Sequence, residues 1–118
     1  MRVTGTKDVA ALKVAALNQI DAEAETARLK DTTPGSVQAM VYQEKLTQAR
    51  ACLAAAGVGS YPLLAEPVLE TAKIVVTRAG EWMQRIATIE RLRLAAKAAV
   101  KAASTPAEIA TARQVMWP

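Results

Sequence analysis

An all-α fold, an antiparallel helical bundle of three main helices plus a short capped C-terminal helix, is what these 118 residues predict. Three observations carry that prediction. Apolar residues recur at steps of three and four along most of the chain, the period of one helix face. No stretch alternates with period two for long enough to be a strand. Proline, glycine and capping residues break the pattern at "KDTTPGS", "GVGSYP" and "STPAE", where helices stop and start. The length fits one domain over 1–118, with helices at about 6–31, 34–56, 68–103 and 105–116.

The first helix starts at Thr6. Asp8 falls in its first turn, where a carboxylate suits the positive end of the helix dipole. Its apolar face reads Val9, Leu12, Ala16, Ile20, Ala24 and Ala27. After "KDTTPGS", Thr33 is the expected N-cap of the second helix and Pro34 its first residue, since proline there gives up an N–H that has no partner. The second helix carries the most regular repeat: Ala39, Tyr42, Leu46, Ala49, Leu53 and Ala56 alternate steps of three and four like a coiled-coil seam. Val37, Met40 and Val41 widen the stripe at its start, and Gly57 is expected at C′. The short connection predicts an antiparallel hairpin of these two helices.

"SYPLLAEP" predicts a single turn of helix. The long helix follows, with Ala72, Val75, Ala79, Trp82, Ile86 and Ile89 on its apolar face. Arg93 interrupts that face, and Ala96, Val100 and Ala103 resume it. Gly80, mid-helix, costs about 1 kcal/mol against alanine and would allow a close crossing, a bend, or neither. The last helix opens on a capping box, Thr105-Pro106-Ala107-Glu108. In such a box the Thr105 hydroxyl accepts from the Glu108 amide, and the Glu108 carboxylate reaches back to the Thr105 amide. Ile109, Ala112, Val115 and Met116 make its apolar face, and Trp117 extends that face past the last turn. Trp117 is expected to clasp the bundle or a neighbouring chain, because Pro118 cannot continue a helix.

Composition narrows the function. Alanine is abundant, phenylalanine absent and aromatics total 3%. Alanine buries little area, so a monomer would be thinly packed, which favours oligomerisation or docking on a partner. There is no histidine, the commonest general base and metal ligand. A single Cys52 and no Cys-x-x-Cys exclude the usual zinc and redox patterns, and no Gly-rich phosphate loop occurs. No catalytic residue, cofactor, metal or small-molecule substrate is therefore expected. Asp21, Glu23 and Glu25 are spaced by two and splay around their helix as a solvated acidic surface. Cys52 lies beside the seam and reads as a buried, inert thiol. No signal peptide is read, because Lys13 and Asn18 interrupt the early apolar pattern. No apolar run approaches the roughly 18 residues of a membrane span.

The net charge is +4. Arg85, Arg91, Arg93, Lys97 and Lys101 share their stretch with a lone Glu90, and Arg93, Lys97 and Lys101 line one face at spacings of four. Three readings stand: a solvated face partly paired with the acids of the first helix, a docking strip for an acidic protein, or a nucleic-acid surface. The last is the weakest, with few aromatics for stacking and no recognised DNA- or RNA-reading motif. Candidate protein-interface residues are Tyr42, Leu46, Leu53, Trp82, Arg93, Lys97, Lys101 and Trp117.

Two stretches go further. "IDAEAETARLKDTTPGSVQAMVYQEKLTQARACLA" resembles a segment of tailed-bacteriophage tail proteins, where an Ala-, Glu- and Arg-rich helix meets a Thr-Pro-Gly turn and a Gln-Ala-Met-x-Tyr-x-x-Lys helix. "IERLRLAAKAAVKAASTPAEIATARQVMWP" is similar to the C-terminal end of the same group, down to the Thr-Pro-Ala-Glu cap and the Trp-Pro, and "YPLLAE" also fits. Together they cover most of 19–118, and "PVLETAKIVVTRAGEW" departs from the pattern. The resemblance implies a small non-enzymatic protein, made in the host cytoplasm, that contacts other tail proteins as a homo- or hetero-oligomer. It would be a virion component (tail, baseplate or fibre attachment) or an assembly chaperone absent from the mature particle. A small basic nucleic-acid-binding or regulatory protein is the further alternative. No site residue carries over. Gln38, Tyr42 and Lys45 match the shared words and read as surface, packing and surface respectively.

Overall fold

The computed structural model describes residues 6–30 and 36–118. Among them the chain is all-helical, with α1 (Thr6–Leu29), α2 (Ser36–Ala54), α3 (Val68–Ala102) and the short α4 (Pro106–Ala112). The Thr33 cap and the Pro34 start of α2 lie outside the described residues. Contacts gather into two compact units, Met1–Asp31 with Ile86–Pro118, and Thr32–Arg85. α3 runs through both.

In the first unit α1 lies antiparallel to the second half of α3. The Lys13 ammonium donates to the Lys101 carbonyl at 2.7 Å, Asp21 meets Lys97 and Arg93, and Arg28 approaches Glu90. Ala16 and Ile20 are buried with Ala96, Val100, Ala103 and Ile109. Ala24 and Ala27 are buried with Ile89. Small alanines on both helices leave the larger aliphatics to fill the space between. The predicted α1 face holds at Val9 and from Ala16 onward, but Leu12 is exposed. The inward stripe runs back through Lys13, whose aliphatic stem lies over apolar surface while its charge reaches a carbonyl.

In the second unit Ala49 and Cys52 of α2, Leu64 of the connecting loop and Ala72 of α3 form the buried cluster. Leu53, Tyr61, Val68, Val75 and Val76 pack around it. Only the later turns of α2 are covered. Val37, Met40, Val41 and Tyr42, expected on the core side, are exposed, and so is Ala39.

The helix ends show where local signals were shifted by their surroundings. The Gly57 N–H donates to the Cys52 carbonyl at 2.8 Å and the Ala56 N–H to the Leu53 carbonyl at 3.3 Å. This pair of bonds is a Schellman motif, which puts Ala56 at C′ and Gly57 one place beyond. Ala56 therefore holds the left-handed conformation, φ 51°, that the sequence assigns to Gly57. "SYPLLAEP" is no helical turn: it is a hydrogen-bonded turn, Leu64 N–H to Tyr61 carbonyl at 3.0 Å. Gln48 Oε1 accepts from the Leu63 N–H at 2.9 Å, and the Thr71 hydroxyl donates to the Ala65 carbonyl at 2.7 Å. Those two bonds hold the turn so that Leu64 points inward. Gly80 serves no close crossing, since a Cβ there would meet nothing within 4 Å.

α4 forms with its cap as expected. Thr105 is extended, and its hydroxyl accepts from the Glu108 N–H at 3.2 Å. The Glu108 carboxylate reaches the Ser104 N–H at 3.0 Å, one residue before the predicted amide. The helix stops at Ala112, four residues short of the predicted end at 116. The chain beyond alternates instead: Val115 and Trp117 pack against the core, while Met116 is 94% exposed. An extended strap carries Trp117 back onto α1, which a continued helix would have pointed elsewhere.

Candidate interaction surfaces

Arg93 and Lys97 of the basic stripe on α3 are matched by carboxylates of the same unit. Arg93 forks onto Glu90, Nε to Oε1 at 2.6 Å and Nη2 to Oε2 at 2.9 Å, and its Nη1 donates to Asp21 Oδ1 at 2.9 Å. Lys97 donates to Asp21 Oδ2 at 2.9 Å. Lys97 first, then Arg93, holds the Asp21 carboxyl below its ordinary range, and Arg93 does the same for Glu90. Glu90 and Asp21 in turn raise Arg93 further. The spacing of four that aligns Arg93 and Lys97 on one face also lets one α1 carboxylate bridge both. For Arg93 and Lys97 this is the partial pairing with the acids of α1 that the first of the three readings expects. Lys101 is exposed.

The three α1 acids splay, as their spacing requires, and each finds a different partner. Asp21 turns to α3. Glu25 pairs with Arg28 at 2.8 Å. Glu23 accepts from Trp117 Nε1 at 3.0 Å and from Gln19 Nε2 at 2.7 Å, and these bonds, Trp117 first, lower its carboxyl. Gln19 Oε1 also accepts from Arg113 at 2.7 Å. The strap is thus anchored to α1 by two side chains as well as by apolar contact. The sequence shows a terminal tryptophan but not its partner, because Glu23 stands 94 residues away in the chain.

The other expected interface residues divide. Leu46 is buried, and Leu53 is half-buried against the Cys52 cluster of its own unit. Trp82 and Trp117 are half-buried. Tyr42 is exposed beside Val37, at 71% exposure, and Met40, at 70%. These side chains give the first turns of α2 an uncovered apolar surface, where the sequence pattern predicts core. Cys52 is buried, as expected of an inert thiol.

Among the described residues no group of three or more His, Cys, Asp or Glu side chains could hold a metal ion. No helix among them is long and apolar enough to cross a membrane. Two open, mainly apolar grooves of about 570 Å³ lie on the first unit. One is lined by alanines of α3 and α4 with Glu108 and Thr111, the other by Ala22, Glu23, Thr26, Ala27, Lys30 and Trp117. Their carboxylates are already engaged, Glu108 in the α4 cap and Glu23 with Trp117 and Gln19. No protein-family model, curated protein or solved structure matches the chain.

Proposed function

We propose that this chain is a non-enzymatic interaction protein of a bacteriophage tail, a tail, baseplate or fibre-attachment component acting through helix–helix contacts. The observation that carries the reading is the uncovered apolar start of α2. Val37, Met40, Val41 and Tyr42 are exposed there, and Gln38-Ala39-Met40 with Tyr42 are the words shared with tail proteins. Side chains that resemble a common motif yet stay exposed suit a partner's surface better than a core. The alternative, a tail or fibre assembly chaperone, would use the same surface and leave before maturation.

Mass spectrometry of purified virions tests the reading. The protein is expected in stable copy number in the particle. Its absence there, together with a soluble complex with a tail or fibre protein in infected cells, would replace the structural reading by the chaperone. Absence from both would overturn the tail assignment. A nucleic-acid role finds less support, because Arg93 and Lys97 are already matched by Asp21 and Glu90. Binding to nucleic acid that falls steeply with salt would revive it.

A further inference from the structure

α1 carries a second seam on the side away from its core. Ala11, Ala15, Asn18, Ala22, Glu25 and Leu29 follow one another at alternating steps of four and three, and all six are exposed. Val14 stands exposed beside them. A face with this period, with a single Asn in it, is how a helix meets another helix in register. Glu25 enters the seam with its charge already paired to Arg28.

One flank of this face is built asymmetrically. Asp8, Leu12, Gln19, Thr26 and Lys30 lie along it at steps of four and seven. At its N-terminal end Leu12 projects, exposed. At its C-terminal end lies the groove of about 570 Å³ formed by Ala22, Glu23, Thr26, Ala27, Lys30 and Trp117, with the Glu23 carboxylate already bonded to the Trp117 indole. Leu12 and Thr26, a lining residue of the groove, have residue 19 as their midpoint. Asp8 and Lys30, opposite in charge, have the same midpoint. A helix turned end for end about that point would therefore bring knob to groove and acid to base twice over. A closed two-fold interface requires this kind of self-complementarity.

We propose that α1 pairs antiparallel with α1 of a second copy of this chain, seating each Leu12 in the other's Trp117 groove. The paired face runs about 33 Å from Asp8 to Lys30. Asn18 of the two copies then lies beside the axis, where small neighbours let the backbones come close. The Trp117 strap then forms one wall of the socket as well as closing its own unit. The pairing uses none of the residues at the start of α2, and it stands whether or not the chain belongs to a phage tail.

Sedimentation or light scattering of the full chain over a wide concentration range reads the pairing. A species of twice the 12.5 kDa chain mass is expected. L12E should convert it to monomer. D8K should weaken it about tenfold by placing like charges at both ends, and D8K/K30D should restore it. In a second measurement that does not depend on disrupting anything, N18C should form a disulfide-linked dimer under mild oxidation, and V37C should not. The proposal is overturned by a monomer at every concentration. It is equally overturned by a dimer indifferent to L12E, by no rescue in the double charge reversal, or by V37C linking as readily as N18C.

Discussion

The indole of Trp117 donates to the Glu23 carboxylate at 3.0 Å and lays its ring against Ala24, Ala27 and Ile89. That contact makes the C-terminal strap part of the first unit's core. Trp117→Ala should lower stability by roughly 2–3 kcal/mol, less than for a fully buried tryptophan because the ring is only half-buried. Trp117→Phe keeps most of the apolar contact and loses the hydrogen bond, so it should cost about 1 kcal/mol. Thermal melts of the two variants check the ordering. Equal melting temperatures for wild type and Trp117→Ala would show that the strap contributes nothing.

Acid should loosen the same unit. Asp21, Glu23, Glu90 and Glu108 all have carboxyls held below their ordinary values of 3.8 for Asp and 4.5 for Glu. Lys97, Trp117, Arg93 and the Ser104 amide, in that order, are the leading causes. A depressed folded-state value means that the unfolded chain takes up protons first. The stabilisation is therefore complete above the ordinary carboxylate range and is lost as pH falls through the lower folded-state values. The melting temperature should be flat near neutrality and fall below about pH 4.5. Asp21→Asn should lower the neutral-pH plateau and make the acid slope shallower. A slope unchanged by this substitution would place the proton uptake elsewhere.

The end of α2 offers a gain of stability. Ala56 sits at φ 51°, a left-handed conformation that costs an alanine roughly 1–2 kcal/mol. Ala56→Gly should stabilise the protein by about 1 kcal/mol, glycine's extra freedom in the unfolded chain offsetting part of the relief. Gly57→Ala should do the reverse. Its φ is 86°, and a Cβ would come within 3.0 Å of Leu69 Cγ. Denaturant midpoints measured side by side settle both signs.

Leu64 is the buried side chain of the connecting loop. Leu64 is buried among Ala49, Cys52 and Ala72, while its neighbour Leu63 is exposed. Leu64→Ala should cost about 2–4 kcal/mol and Leu63→Ala well under 1 kcal/mol. Hydrogen exchange should show the Leu64→Ala loss first in the amides of 46–76. Equal effects from the two substitutions would contradict the inward turn.

Much of the fold was legible because its signals are local. A period of three and four, a threonine three residues before a glutamate, and a proline at a first turn act within one or two turns of helix. They marked α1, α3 and the start of α4 closely, and they placed Ala16, Ile20, Ala72, Ile89, Ala96 and Val100 inward. They also foretold the splay of Asp21, Glu23 and Glu25, which follows from helix geometry alone.

Local pattern could not say which apolar residues would find cover. Tyr42 and Leu46 belong to one seam, yet the first is exposed and the second buried, because the loop and α3 meet only the later turns of α2. Arg93 looks like a break in a stripe until Asp21, 72 residues away, is seen to be its partner. The pattern of the last stretch reads as a helix to 116 with Trp117 just past it. In the fold the helix ends at Ala112, and the non-helical chain beyond it brings Trp117 to Ala24, Ala27 and Glu23. By itself the sequence determined where helices form and which side of each is apolar, since backbone hydrogen bonding and capping are short-range. Only the tertiary structure decided which of those sides are covered, which charges cancel and which face of α1 remains exposed. Those outcomes depend on residues that meet across long stretches of chain.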